Sequence, residues 1–255
     1  MRVSWTMVVA VWLLPVGAGP GRADQPAEVK AVIDRAVAAL GGEGKLAQLR
    51  TARWTATGTL HHEGLKLVMP FTETTVAHLP DQFRLEMEYD LNGSKITQIL
   101  IVDRDRGWNK LGDSAREMPD QYRDGLKDYL YAVSLALTPQ VLRDMAFQVS
   151  PAGVLTIDDR PTVGLHVTAK GRRDVNVYFD KATGLPVKCE MIAKELEGEA
   201  PERRFELSFS DYKDFGGFKI GAKMTWKQDG KPYVERELTE VKPLAKLDEG
   251  ALAKP

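Results

Sequence analysis

The stretch Pro80-Asp81-Gln82-Phe83-Arg84-Leu85-Glu86-Met87-Glu88-Tyr89 decides the fold. Successive side chains of an extended chain point to opposite faces. Phe83, Leu85, Met87 and Tyr89 therefore share one side, and Arg84, Glu86 and Glu88 share the other. This period of two predicts a strand with one dry and one wet face. Pro80 interrupts the chain before it, and Asn92-Gly93 supplies a turn after it.

The same pattern recurs outward from this strand. Before it, strands are predicted over 51–60 and 65–77, the second kinked at Pro70, which cannot donate to a ladder. After it come 94–102, 106–111 and 115–118. Ile99-Leu100-Ile101 is apolar on both faces, as in a strand covered on both sides. The later half repeats the scheme over 147–150 and 154–157, about a turn at Pro151-Ala152-Gly153, and over 162–169 and 175–179. Strands at 185–193, 205–212, 218–226 and 233–241 complete it. Short turns between long strands predict antiparallel pairing.

Two helical segments interrupt this series. Val29, Val32, Ile33, Ala36, Val37 and Leu40 form an apolar stripe at helical spacing over 26–40, and Gly41-Gly42 ends it. A short helical turn follows at 45–49. Tyr122, Leu126, Tyr129, Leu130, Val133 and Leu137 make one face of a helix inside an insert spanning about 120–144. Thr138-Pro139 predicts a restart, with Thr138 as N-cap and Pro139 in the first turn. The tail 244–255 reads as irregular coil.

Residues 1–23 read as an export signal, leaving one domain over 24–255. Arg2 is the positive end, Val8 to Val16 the apolar core, and Gly21-Arg22-Ala23 the cleavage site, with an earlier cut after Ala18 as an alternative. A single-pass anchor is disfavoured by the short apolar run. Losing Arg2 and Arg22 moves the net charge from −1 to −3, no footprint for nucleic acid. No transmembrane segment is expected in the mature chain. Cys189 is the only cysteine, which excludes an internal disulfide.

Residues in this frame resemble a known family. The stretch His78-Leu79-Pro80-Asp81-Gln82-Phe83-Arg84-Leu85-Glu86 is similar to the Arg-Pro-x-x-Phe-Arg-Trp run of the periplasmic lipoprotein carriers of the LolA and LolB type. Asp180-Lys181-Ala182-Thr183-Gly184-Leu185-Pro186-Val187-Lys188 is similar to their later Asp-x-x-Thr-Gly-Leu hairpin. Ala39-Leu40-Gly41-Gly42-Glu43-Gly44-Lys45 and Ser210-Asp211-Tyr212-Lys213 resemble exported proteins described as outer membrane lipoprotein-sorting. The sensor domain of RseB/MucB proteins belongs to the same superfamily. Leu85 stands where the carriers tend to have tryptophan, and His78-Leu79 where they have arginine. The resemblance implies a mainly β fold with α: an incomplete antiparallel β-barrel, or half-barrel, plugged by the N-terminal helix and the insert. It also implies that Arg84 helps to hold the plug, whereas the residues alone favour Arg84 as an exposed cation beside Glu86 and Glu88.

The expected cavity lining is Phe83, Leu85 and Met87, then Val177 and Phe179, then Phe205, Leu207 and Phe209, with Met224 and Trp226. The expected plug is Tyr122, Leu126, Tyr129, Leu130 and Val133 with Arg84. Burial of each large apolar side chain contributes roughly 1.5–3 kcal/mol, whether the space is an ordinary core or a cavity for an acyl chain. Met69, Met87, Met191 and Met224 would suit an adaptable lining. The expected function is a non-enzymatic, exported protein that holds a lipid or the acyl chains of a lipoprotein. The alternative is an envelope sensor or scaffold that binds a protein partner through the same sheet. No cofactor, metal or catalytic residue is expected. His61 and His62 point to opposite faces of a strand, His78 and His166 stand apart, and no HExxH or GxSxG motif occurs. Asp103-Arg104-Asp105-Arg106 and Asp158-Asp159-Arg160 read as solvated turns.

Overall fold

The computed structural model describes residues 26–62, 64, 66–91, 93–194 and 202–255. The expected export signal, Leu65 of the predicted second strand and Asn92 of the predicted turn lie outside the described residues.

Two helices, α1 (Ala27–Leu40) and α2 (Glu43–Leu46), precede a six-strand meander. Its strands are β1 (Thr51–His62), β2 (Leu67–His78), β3 (Gln82–Leu91), β4 (Ser94–Asp103), β5 (Arg106–Leu111) and β6 (Ser114–Glu117). The long helix α3 (Asp120–Leu137) and a 3-10 turn at Pro139–Arg143 follow. A second meander comprises β7 (Phe147–Ile157), β8 (Arg160–Ala169), β9 (Val175–Asp180), β10 (Pro186–Lys194), β11 (Glu202–Asp214), β12 (Lys219–Gln228) and β13 (Lys231–Pro243). Antiparallel pairing of β1 with β13 joins the two meanders into one 13-stranded sheet with β6 and β7 at its edges. The sheet does not close on itself, so the architecture is a half-barrel.

That strand order places α3 where it can act as a cover. The insert is central in the chain, but it links the two edges of the sheet rather than interrupting it. Its apolar residues pack into the main core with Phe83, Leu100 and Phe205 from the concave face. Residues 130–136 of α3 are buried all round, as expected of a helix segment enclosed by other elements.

The stripe of α1 is buried through Val29, Ile33, Ala36, Val37 and Leu40. Gly41 ends the helix at φ 126°, and a Cβ there would lie 2.6 Å from the Gly217 carbonyl oxygen. Arg143, just beyond α3, donates to Asp34 of α1 at 2.8 Å and to Glu43 of α2 at 2.5 Å, tying the covering elements together. On β4, Ile99, Leu100, Ile101 and Val102 are all buried, as their two-sided apolarity predicts. The tail is irregular, and Lys254 lies 4.8 Å over the Trp108 ring.

Three local expectations are corrected. Pro70 leaves the β1–β2 ladder in unbroken register, because it is exposed and the β2–β3 ladder begins only at Phe71. Residues 147–157 form one strand with a bulge between Pro151 and Gly153, so the predicted turn is absorbed into the ladder with β8. Thr138 precedes the 3-10 turn but does not cap it; its hydroxyl instead donates back to the Ser134 carbonyl at 2.8 Å.

Gly58 is where β1 gives way to its neighbours. An added Cβ would meet the Glu235 carbonyl at 2.3 Å and the Phe71 ring at 2.5 Å. Gly58→Ala is expected to destabilise the fold by about 1–3 kcal/mol in urea unfolding. Gly44→Ala, in α2 with nothing within 4 Å of the added atom, should be neutral or stabilising.

Candidate functional site

Register on the concave face fixes which side chains meet. Across β13, β1, β2, β3 and β4, one row reads Arg236, Gly58, Phe71, Tyr89 and Ile96. One step further in, Ala56 is flanked by Leu238 on β13 and by Glu73, Met87 and Gln98 on the other side. The next row runs from Trp54 through Thr75 and Leu85 to Leu100. Between these rows and α3 lies a cavity of about 440 Å³, within the range of small-molecule sites. Leu60, Met69, Ile96 and Leu111 line it near the hairpin ends, and Trp54, Thr75 and Leu100 line it at the inner end. Leu60 and Trp54 are roughly 20 Å apart along β1 at the usual strand rise.

The predicted residues divide by position. Phe83, Leu85, Met87 and Trp226 line the cavity from the sheet, and Tyr122, Leu126, Tyr129 and Leu130 line it from α3. Phe209, Met224 and Val133 border a separate gap of only about 30 Å³. Val177, Phe179, Phe205 and Leu207 line neither space and are at most 2% exposed. The reason is the path of α3, which packs mainly on β10 and also touches β9. The Cys189 thiol on β10 approaches the Ala132 carbonyl of α3 at 3.5 Å. The half-barrel is thus filled on its β8–β11 side and hollow on its β1–β5 side.

A buried charge pair crosses the floor. Arg236 donates to Glu73 at 2.9 Å, with side-chain exposures of 10% and 3%. The two strands that carry them flank β1, which presents only Gly58 and Ala56 opposite them, so nothing bulky separates the pair. Arg236 and Tyr129 of α3 also converge on the Met224 sulfur, at 3.6 and 3.7 Å. Burial works against the guanidinium charge, but Tyr129 and Glu73 hold the Arg236 pKa above its ordinary value. Burial pushes the Tyr129 phenol up to about 12. Tyr129 stacks on Trp226 with ring centroids 4.5 Å apart. Arg236 and Glu73 were missed in the sequence, although the signal was there. Glu73 is in phase with Phe71 and Ala77, and Arg236 with Val234 and Leu238, so each strand sets a charge among the apolar residues of its dry face.

The same floor holds polar atoms with no partner within the protein: Trp54 Nε1, Thr75 Oγ1, Trp226 Nε1 and Arg236 Nε. Each such group costs about 1–3 kcal/mol if nothing pairs with it.

This half-barrel, hollow under one helix, has solved counterparts. A putative outer membrane lipoprotein-sorting protein domain from Vibrio parahaemolyticus superposes with a TM-score of 0.52 at 13% identity, over 82% of this chain and 95% of that one. A LolA superfamily protein from Nitrosomonas europaea gives a TM-score of 0.56 at 9% identity, over 89% of this chain and 97% of that one. The chain shares its fold with these two proteins. No protein-family profile and no curated protein matches the chain.

In this LolA-like frame Arg84 does not hold the plug. It lies on the convex side and donates to Glu86 at 3.1 Å, because its odd neighbours, not Arg84 itself, face inward. The plug is held from its polar side instead. Arg123 donates to the Asp105 carbonyl at 2.9 Å, and Lys127 approaches the Asp105 carboxylate at 3.6 Å, fixing α3 to the β4–β5 turn. Asp128 faces Arg173 at 3.7 Å beside the β8–β9 turn, and Arg172 there bonds Asp81 and lies 5.3 Å over the Tyr131 ring. Burial pushes the Asp128 carboxyl up to about 6, against the pull of Arg173 and Arg172.

The remaining reactive groups are held in structural contacts. His61 meets Glu235 at 3.2 Å, His78 meets Thr51 at 2.7 Å, and His166 meets Asn176 at 2.8 Å. Burial pushes the Cys189 thiol up, away from a nucleophilic thiolate. Among the described residues no group of three or more His, Cys, Asp or Glu is placed to hold a metal.

Two outcomes follow from these contacts. Arg236→Met should cost about 3–5 kcal/mol in urea unfolding, because it strands Glu73, and adding Glu73→Leu should recover much of the loss. The folded state keeps the Asp128 proton more tightly than the unfolded chain, whose carboxyl titrates near 3.9. The Asp128 contribution therefore lowers stability as pH rises from about 4 to about 6, then levels off. The melting temperature of Asp128→Asn relative to wild type should climb through that window and stay raised at pH 7.

Proposed function

We propose that the protein is a non-enzymatic, exported binding protein that shelters an acyl chain, from a lipid or an acylated polypeptide, in the cavity under α3. The observation that carries this reading is the uneven filling of the half-barrel. Its apolar concave face is packed solid on one side and leaves about 440 Å³ on the other. The N-terminal half of α3 roofs that space, and the ion pairs that tie it to the neighbouring turns each contribute little.

The rim supports entry of a chain. Leu111 is 53% exposed where it borders the opening, beside the half-buried Leu60 and Met69. A sheltered chain gains about 0.8 kcal/mol per methylene, close to its gain in a bilayer, so transfer in either direction is nearly balanced. That balance suits a protein that exchanges lipid rather than traps it. The likeness in fold to a lipoprotein-sorting domain points the same way. Export through residues 1–23 would place the protein in the periplasm or cell envelope. No described helix is long and apolar enough to cross a membrane.

Native mass spectrometry after exposure to phospholipid vesicles tests this reading. The wild-type protein should carry an adduct of lipid mass. Leu60→Trp, which pushes bulk into the cavity from a half-buried position, should reduce occupancy at least about tenfold without lowering the melting temperature. Absence of any adduct on the wild-type protein would overturn the proposal.

A further inference from the structure

The cavity under α3 has a closed end and an open one. Around its inner end stand Trp54, Phe83, Leu100 and Leu130, none more than 7% exposed, whereas Leu111 at the other end is 53% exposed. Beyond the inner end lies the separate gap of about 30 Å³, bordered by Leu49, Val133, Leu137 and Phe209. Among the described residues, Trp54 and Arg236 line both spaces, so these two side chains form the partition between them. Arg236 is fixed in place by Glu73 at 2.9 Å. Trp54 supplies the apolar bulk of the partition. Its indole nitrogen is buried, so the ring presents carbon to the hollow.

Two measures of the hollow agree on what fills it. An extended alkyl chain advances about 1.2 Å per bond, as an extended backbone does, so the roughly 20 Å from Leu60 to Trp54 spans about sixteen bonds. A methylene takes about the volume share of a water molecule, about 30 Å³, so 440 Å³ holds about fifteen of them. Each measure describes a single chain, and the gap beyond the partition has room for about one methylene more. We infer that the cavity measures chain length: it shelters one alkyl chain of about sixteen carbons, methyl end inward against Trp54, with the head and everything attached to it outside the rim. This rests on the acyl-binding reading above and adds the number, length and direction of the chain to it. A head outside the rim leaves space for a lipid headgroup or a polypeptide, and it needs no polar contact inside the hollow. The stop also sets a limit. Up to Trp54, each methylene exchanges bilayer for cavity with little net change. Each methylene beyond that length stays in water at the rim, which weakens capture about fourfold.

The test presents lauroyl, palmitoyl, stearoyl and arachidoyl lysophosphatidylcholine together in phosphatidylcholine vesicles. The lysolipids captured by the separated protein are measured by mass spectrometry, each relative to its share of the vesicles. Wild-type protein should take the lauroyl and palmitoyl lipids alike, the stearoyl lipid about tenfold less and the arachidoyl lipid about a hundredfold less. Trp54→Leu joins the hollow to the small gap and should bring the stearoyl lipid to within about threefold of the palmitoyl one. Trp54→Phe keeps an aromatic ring in the partition, opens less space and should raise stearoyl capture about fourfold, the effect of one methylene. Trp108→Phe, outside the cavity lining, should leave the profile unchanged. Melting temperatures identify the variants that fold. Equal or rising capture through the arachidoyl lipid by the wild-type protein would overturn the length stop while leaving the acyl-binding reading intact. A drop that stays in place in folded Trp54→Phe or Trp54→Leu protein would overturn the role of Trp54. Capture of none of the four would overturn the acyl-binding reading itself.

Discussion

A guanidinium and a carboxylate meet over a strand that offers them no side chain in the way, and much of the concave face is arranged around that meeting. Glu73 and Arg236 stand on β2 and β13, the two neighbours of β1. Their contact therefore spans the seam where the two meanders join, the one pairing that makes a single sheet of two. A charge pair this deep is not a gain in stability by itself, since desolvation offsets most of the attraction. Its value lies in constraint. With Gly58 and Ala56 beneath it and Tyr129 above it, the pair fixes both the seam and the height of α3 over the floor.

That height differs along the helix. Toward its C-terminal end α3 is buried on every side and lies on β10, where Phe179, Phe205 and Leu207 form ordinary core. Toward its N-terminal end it is raised over β1 to β5 and held by Arg123, Lys127 and Asp128 at the turns. One helix thus serves as core over half of the sheet and as a roof over the other half. The hollow side can change its contents while the filled side keeps the fold.

The alternation in Phe83 to Tyr89 and its repeats was enough to read one large antiparallel sheet with a dry face, since a period of two assigns faces without knowledge of partners, while the half-barrel and its helical plug came from the family resemblance. It was also enough to place Leu85, Met87 and Trp226 inward. It could not separate Leu85, which borders a cavity, from Leu207, which borders none, because the difference is made by where α3 lies and both read as inward apolar residues. Arg84 was drawn into the plug by likeness of a short motif, although its parity on β3 puts it outside. Glu73 and Arg236 carried the reverse lesson. A charge in phase with an apolar face marks a buried partner of opposite sign, and the long separation in sequence between the two hid the match. Strand order was the least legible feature. Nothing in local pattern says that 120–144 links the two edges of the sheet, a fact that depends on β1 pairing with the last strand.

The central claim is that the hollow between the β1–β5 face and α3 is a binding site rather than a packing defect. Anomalous diffraction from crystals grown with an acyl ester brominated at the end of its chain tests it most directly. A bromine peak inside the hollow, among the lining residues Leu85, Leu100 and Leu130, is the predicted result. A bromine peak confined to the outside of the sheet, or a hollow closed by collapse of α3 onto Leu85 and Leu100, would contradict it.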